Sequence, residues 1–142
     1  MAVRNQQELR NSIDSAAQAG EQFSQLYYEM FDKRRHKVPK LYSASSTVVW
    51  NGNVINGDLE KLMDFYTNLP SSEHTLYSLD CQPVTENAIP GRNTILIVVE
   101  GCVKFEGHKS ENFSQNFLLT VEGSSEGGQV WRVASDCFRF IE

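Results

Sequence analysis

Apolar residues recur with helical spacing near the start of the chain. Ile13, Ala16, Ala17, Gly20, Phe23, Tyr27 and Met30 fall at i, i+3, i+4 and i+7 intervals, which draws one stripe along a helix of about 20 residues. Asp32 stands where it can cap a short second helix, and Pro39 limits that helix because the residue before a proline is pushed away from helical dihedrals. A brief helical turn through Leu41 follows. Thr47, Val48, Val49 and Trp50 then lead into Asn51-Gly52, with Val54 and Ile55 beyond. That pattern predicts two short strands around a tight hairpin turn. Asp58 opens a third helix, whose face is Leu59, Leu62, Met63, Tyr66 and Leu69 and whose end is set by Pro70.

From His74 onward the period changes to two. Four extended segments cover residues of about 74–84, 94–105, 113–122 and 129–141. Turn-rich pieces separate them: Pro90-Gly91-Arg92-Asn93, the stretch from Glu106 to Asn112, and the run from Gly123 to Gly128. Connections of this length join antiparallel neighbours. Helices first and a meander of long strands afterwards make an α+β chain, in which the helices cover one face of the sheet. A single domain over residues 1–142 is expected, with residues 1–10 a frayed N-terminus.

A sheet with helices on one side and water on the other alternates cleanly between apolar and polar positions. This one does not. Ile95, Ile97, Val99, Val103 and Phe105 make one apolar face, yet Leu96, Val98 and Cys102 make the opposite face largely apolar too. In the next strand Phe113, Phe117, Leu119 and Val121 form the core side, against a mixed side of Ser114, Asn116, Leu118 and Thr120. By the same alternation Trp131, Val133, Ser135, Cys137 and Arg139 share the outer face of the last strand, opposite Ala134, Asp136, Phe138 and Phe140. A broad sheet surface that mixes apolar, small and polar groups with one charge has the composition of a protein interface. No spare segment is long enough to cover it, so a partner is expected there.

Composition narrows the function. The chain has 142 residues, 40% hydrophobic and 22% charged, which suits one globular, soluble domain with a real core. No apolar run approaches the roughly 20 residues that cross a bilayer. The polar opening MAVRNQQELRNS lacks the apolar core of a secretory signal and points to an intracellular protein. A formal net charge of −5 opposes binding to a phosphate backbone. The basic cluster Lys33, Arg34, Arg35, His36 and Lys37 reads as the solvated face of a short helix. It has no interleaved aromatics to stack bases, so direct RNA binding is not expected. Cys81, Cys102 and Cys137 are an odd number without CxxC spacing and read as buried, reduced thiols; no metal or other cofactor is implied. Acid–base chemistry would need a carboxylate with a tuned pKa beside a tyrosine or second acid in an apolar pocket. Asp80, Asp136, Tyr27 and Tyr28 supply the types, but both aspartates fall near strand ends and no spacing is diagnostic. His36, His74 and His108 share no motif. A non-catalytic protein is expected.

Several stretches resemble the nuclear transport factor 2-related export proteins, small subunits of the metazoan mRNA export receptor. They are Asp32-Lys33-Arg34-Arg35, Leu41-Tyr42, Trp50-Asn51-Gly52-Asn53, Leu69-Pro70-Ser71-Ser72-Glu73 and Asp80-Cys81-Gln82-Pro83-Val84. Further along come Val103-Lys104-Phe105-Glu106-Gly107, Asn112-Phe113-Ser114-Gln115-Asn116-Phe117 and Ala134-Ser135-Asp136-Cys137-Phe138-Arg139-Phe140. The resemblance implies a cone, with three helices in the N-terminal half packed on a strongly bent antiparallel sheet. It also implies heterodimerisation, sheet face to sheet face, with the similar domain of the large mRNA export receptor, and contact with nucleoporins through that complex. Nucleus and cytoplasm, with shuttling through the nuclear pore, is the implied location. On the outer face this assigns Arg139, Cys137, Ser135, Leu96, Val98, Cys102, Asn116 and Leu118 to the partner, with Arg139 matching an arginine that pairs with an aspartate on the large subunit. Nuclear transport factor 2 itself, a homodimer that carries Ran-GDP, is the neighbouring alternative. Its tryptophan is followed by an acid where Asn51 stands here, and its acidic loop matches Phe105-Glu106-Gly107-His108-Lys109, which keeps one acid. Ran-GDP binding is therefore not expected. Ketosteroid isomerases and related lyases are similar in fold and form the remote catalytic alternative.

Overall fold

The computed structural model describes residues 6–55, 58–84, 93–123 and 129–141. Helix α1 spans Gln6–Lys33 and buries Ala16, Gly20, Phe23, Ser24, Tyr27, Tyr28 and Phe31. The predicted stripe is its middle section. Ile13 and Ala17 stay exposed, and the helix is already formed at Gln6, within the stretch expected to fray. A 3-10 helix follows over Arg35–Leu41 and buries Val38, Pro39 and Leu41. Asp32 does not cap it. It lies in the last turn of α1, where its carboxylate accepts hydrogen bonds from Ser72 Oγ (2.7 Å) and the His74 amide (2.9 Å) and meets His74 Nδ1 at 2.6 Å. Helix α2, Leu59–Thr67, is capped as predicted: Asp58 Oδ1 accepts from the amides of Glu60 and Lys61, which satisfies two of the donors a helix start leaves free.

Six strands follow as β1 Tyr42–Trp50, β2 Asn53–Ile55, β3 Ser72–Val84, β4 Thr94–Phe105, β5 Glu111–Gly123 and β6 Gln129–Ile141. They form one sheet in the order β2-β1-β6-β5-β4-β3, curled into a half-barrel. The β1–β2 turn has positive φ at both Asn51 (45°) and Gly52 (85°), the geometry that matches hairpin twist. Every pairing is antiparallel except one, for β1 runs parallel to β6. The sheet is thus mixed, because the chain returns to β1 from the far end of the sequence rather than from a neighbour. The turns expected at Pro90–Arg92 and Ser124–Gly128 lie outside the described residues. Between β4 and β5 the turn is tighter than expected, with Gly107 at φ 86°.

Two bulges alter the alternation. In β3, Leu76 pairs with Gly101 and Ser78 with Glu100, leaving Tyr77 as the extra residue. A Cβ on Gly101 would lie 2.2 Å from the Thr75 carbonyl oxygen, so only glycine admits the close approach of the bulged strand. In β6, Leu118 pairs with Ser135 and Leu119 with Val133, which leaves Ala134 unpaired. Val133 is therefore fully buried in the core, not on the outer face with Ser135. One extra residue reverses the side to which every earlier residue points.

The core is aromatic. Trp50 stacks on Phe138 at 4.0 Å between ring centres, Phe138 on Phe113 at 5.3 Å, and Phe23 meets Phe117 edge-on at 5.5 Å. Arg35, predicted as part of a solvated basic face, instead ties three elements together. Its five N–H groups donate to the carbonyls of Phe31, Tyr66, Leu69 and Pro70 and to Ser72 Oγ, and its guanidinium lies 4.4 Å above the Phe31 ring. That uses every donor the side chain has.

Candidate partner-docking face

The outer face of the sheet is set by register. Core residues Ile95, Ile97 and Val99 alternate with Leu96 and Val98 on β4, and cross-strand neighbours share a side. One row runs across all six strands as Val54, Val49, Cys137, Asn116, Val98 and Asp80. A second contains Thr47, Ser135, Leu118, Leu96 and Gln82, and a third Arg139, Ser114, Glu100 and Ser78. A fourth joins Ile141, Asn112, Cys102 and Thr75. The structure thus brings Arg139, Cys137, Ser135, Leu96, Val98, Cys102, Asn116 and Leu118 together on one continuous surface. Arg139 and Asn116 are exposed and the other six half-buried. The three cysteines are free and half-buried rather than sealed; Cys81 points inward, against Gly20 of α1.

Alternation alone missed part of this surface. Val49 and Val54 extend it onto the first hairpin, and Val54 is 57% exposed. Tyr77 is 65% exposed and stands beside the outer-face Cys102, whose thiol raises the phenol's pKa. The sequence signal for it was the crowded Leu76-Tyr77 pair opposite a glycine. Charge on the face is mixed: Arg132 and Arg139 stand on β6, Glu100 and Lys104 on β4, and Asp80 on β3. Among the described residues no ion pair holds Arg139, Glu100 or Asp80.

Three of the four candidates for acid–base chemistry, Asp136, Tyr27 and Tyr28, lie on the other side of the sheet. Asp136, fully buried in mid-strand rather than near a strand end, accepts hydrogen bonds from Tyr42, Tyr66 (3.2 Å) and Gln115 Nε2 (2.8 Å). Tyr27 joins through Tyr42 at 2.8 Å, and Tyr28 donates to Gln115 Oε1 at 2.6 Å. Burial pushes the Asp136 carboxyl up to about 6, against the pull of its hydroxyl and amide donors. Burial likewise raises Tyr27, Tyr28, Tyr42 and Tyr66 well above the ordinary phenol range. Asp80 is remote, exposed and hydrogen-bonded by Gln82. The cluster therefore holds one carboxylate, packed among aromatic rings. A cleft of about 270 Å³ opens at the mouth of the half-barrel between Trp50, Leu69, Phe105 and Phe140, rimmed by His108, Lys109 and Glu111. Asp136 does not line it. Asn51 is committed to the turn: its backbone amide donates to the Phe138 carbonyl and its Oδ1 accepts from the Phe140 amide. Among the described residues no group of three metal-ligating side chains converges.

One long helix laid in a curled six-stranded sheet whose far face is uncovered defines a nuclear transport factor 2-like domain. The chain belongs to the nuclear transport factor 2 (NTF2) family, whose domain description matches residues 19–140. Within it, the chain is 51% identical to NTF2-related export protein 2 of Mus musculus over 90% of this chain and 89% of that protein. It is 32% identical to the NTF2-related export protein of Caenorhabditis elegans over the full length of both. Among solved structures, nuclear transport factor 2 of Cryptosporidium parvum superposes with a TM-score of 0.71 at 26% identity, covering 89% of this chain and 95% of that one. The Candida albicans Mtr2–Mex67 M domain complex contains a chain of the same fold, at a TM-score of 0.66 and 16% identity, covering 89% and 96%.

Proposed function

We propose that this chain is a non-catalytic adaptor. It heterodimerises through its outer sheet face with the NTF2-like domain of a large mRNA export receptor and supports passage of mRNA through the nuclear pore. The observation that carries this reading is the continuous, half-apolar outer face with an unpaired arginine at one end. Its support from relatives is their naming as export proteins and the occurrence of the fold in a two-protein complex. Nucleoporins are reached through the complex, the location is shuttling between nucleus and cytoplasm, and neither RNA nor Ran-GDP is bound directly. The sealing of Asp136 away from the cleft favours a structural role for that cluster over an isomerase or lyase site.

Arg139 suits a desolvated contact, since its rigid fork holds a carboxylate bidentately and stays charged when water is excluded. The test is calorimetric titration of the chain with the receptor's NTF2-like domain. Arg139→Ala leaves the partner's carboxylate buried and unpaired, which costs about 2 to 5 kcal/mol, roughly a 30-fold or greater loss of affinity. Arg139→Asp adds repulsion and should bind more weakly still, with an unchanged circular dichroism spectrum. Wild-type affinity in Arg139→Asp would overturn the assignment. Recovery of the wild-type chain from cells with only itself, in stoichiometric amount, would replace the heterodimer with a homodimer.

A further inference from the structure

We propose that Tyr77 is a second anchor of the docking face, seated in an apolar pocket on the partner whose rim carries a basic group. This rests on the heterodimer reading above and adds to it a site on the edge strand β3, three strands from Arg139 on β6. Tyr77 is the most exposed of the large apolar side chains that the structure describes, at 65%. It is also built into its position. The bulge that inserts it breaks the β3–β4 ladder between Leu76 and Ser78, and the bulge in turn needs Gly101, where any Cβ would collide with Thr75 O. A bulge re-aims a side chain at a local cost in pairing. Here the side chain it places on the surface is an aromatic ring with a polar tip, the type enriched at the energetic centres of interfaces.

The ring stands over the β3–β4 ladder beside Cys102, since Thr75 pairs with Cys102 and Leu76 with Gly101 just before the bulge. The surface around it says what the partner carries. Glu100 faces Ser78, the next pair in the ladder after the bulge, and Asp80 lies one pleat further on the same side. Neither has an ion-pair partner among the described residues. Two carboxylates without an ion pair beside an exposed ring fit an apolar pocket with a lysine or arginine at its edge, just as Arg139 on β6 fits a carboxylate. Arg139 on β6 and Glu100 on β4, in one row with Ser114 between them, would then orient the partner by opposite charges, which fixes one register and rejects partners with the signs reversed.

Calorimetry with the receptor's NTF2-like domain tests this with three variants. Tyr77→Ser should weaken binding by about 30-fold or more, in the range of interface anchors, with no change in melting temperature because the ring is exposed. Tyr77→Phe should stay within about threefold of wild type, since the ring and not the hydroxyl fills the pocket. Glu100→Lys should weaken binding most at low salt, where charge repulsion is least screened. Binding of Tyr77→Ser within twofold of wild type, alongside a large loss in Arg139→Asp, overturns the Tyr77 anchor alone. Failure of the wild-type chain to bind the domain at all overturns the heterodimer and the anchor with it.

Discussion

The buried carboxyl of Asp136 makes the stability of this domain depend on pH in an unusual direction. Its pKa is about 6 in the folded chain, against about 3.9 in an unfolded one. Between these values the folded chain holds a proton that the unfolded chain has released, so this residue's contribution is most favourable at about pH 4 and below. It is lost as pH rises to about 6, by a total on the order of 3 kcal/mol. Asp136→Asn is neutral throughout and keeps a polar group facing Tyr42, Tyr66 and Gln115. The difference between mutant and wild-type urea stability should therefore grow in the mutant's favour between about pH 4 and 7, and a flat difference would show that the carboxyl is not held protonated. Asp32 acts oppositely: despite burial, its bonds from His74 and Ser72 keep its pKa low, so its contribution is present above the ordinary carboxylate range and fades as pH falls. Both proteins share that effect and the comparison cancels it. Asp136 was placed on the inner face by alternation, but its tyrosine and glutamine partners were not legible, nor was the role of Asp32. Asp32 read as a cap because caps are local, whereas its actual partners are 40 and 42 residues away.

At the scale of elements, local pattern carried most of the fold. The Asp58 cap, the Asn51-Gly52 turn and the four long strands all follow from residues within a few positions of one another. What alternation could not carry was the effect of single inserted residues. Ala134 reverses the faces of β6, so Trp131 and Val133 were misplaced while Ser135, Cys137 and Arg139 were not. Tyr77 was overlooked in the same way. The parallel pairing of β1 with β6 left no mark in either strand, because apolar alternation does not encode the direction of a neighbour. The contact of α1 with the sheet offers a sharper test. A Cβ at Gly20 would lie 2.3 Å from Cys81 Sγ and 2.8 Å from Cys81 Cβ. Alanine gains about 1 kcal/mol in helix propensity, but overpacking of this kind costs about 1 to 3 kcal/mol. Gly20→Ala should thus lower stability overall. Cys81→Ala in that background should restore only part of it, because the Cβ contact remains. A Gly20→Ala protein more stable than wild type in urea would show that α1 and β3 slide apart freely.

For the molecule as a whole, the outer face sets solution behaviour. Val54, Tyr77 and Ile141 are exposed at 57%, 65% and 43%, beside the half-buried Val49, Leu96, Val98 and Leu118. A surface of this kind left wet favours self-association, and a protomer whose face belongs to a partner is often poorly behaved alone. Light scattering of the purified chain over a range of concentrations should show dimers or larger species that dissolve when the receptor domain is added. A monodisperse monomer at high concentration, without binding of a dye for exposed apolar surface, would contradict this. The single parallel pairing has a further consequence, for synthesis on the ribosome. Apart from the three-residue β2, the only described sheet neighbour of β1 is β6, the last of the described strands along the chain. The nascent chain can fold its antiparallel meander as each strand emerges. Its opening hairpin, with Trp50 destined to stack on Phe138, must wait until β6 has left the exit tunnel. A translation stop before β6 would therefore strand the beginning of the chain as well as remove its end, and release an aggregation-prone fragment instead of a shortened domain.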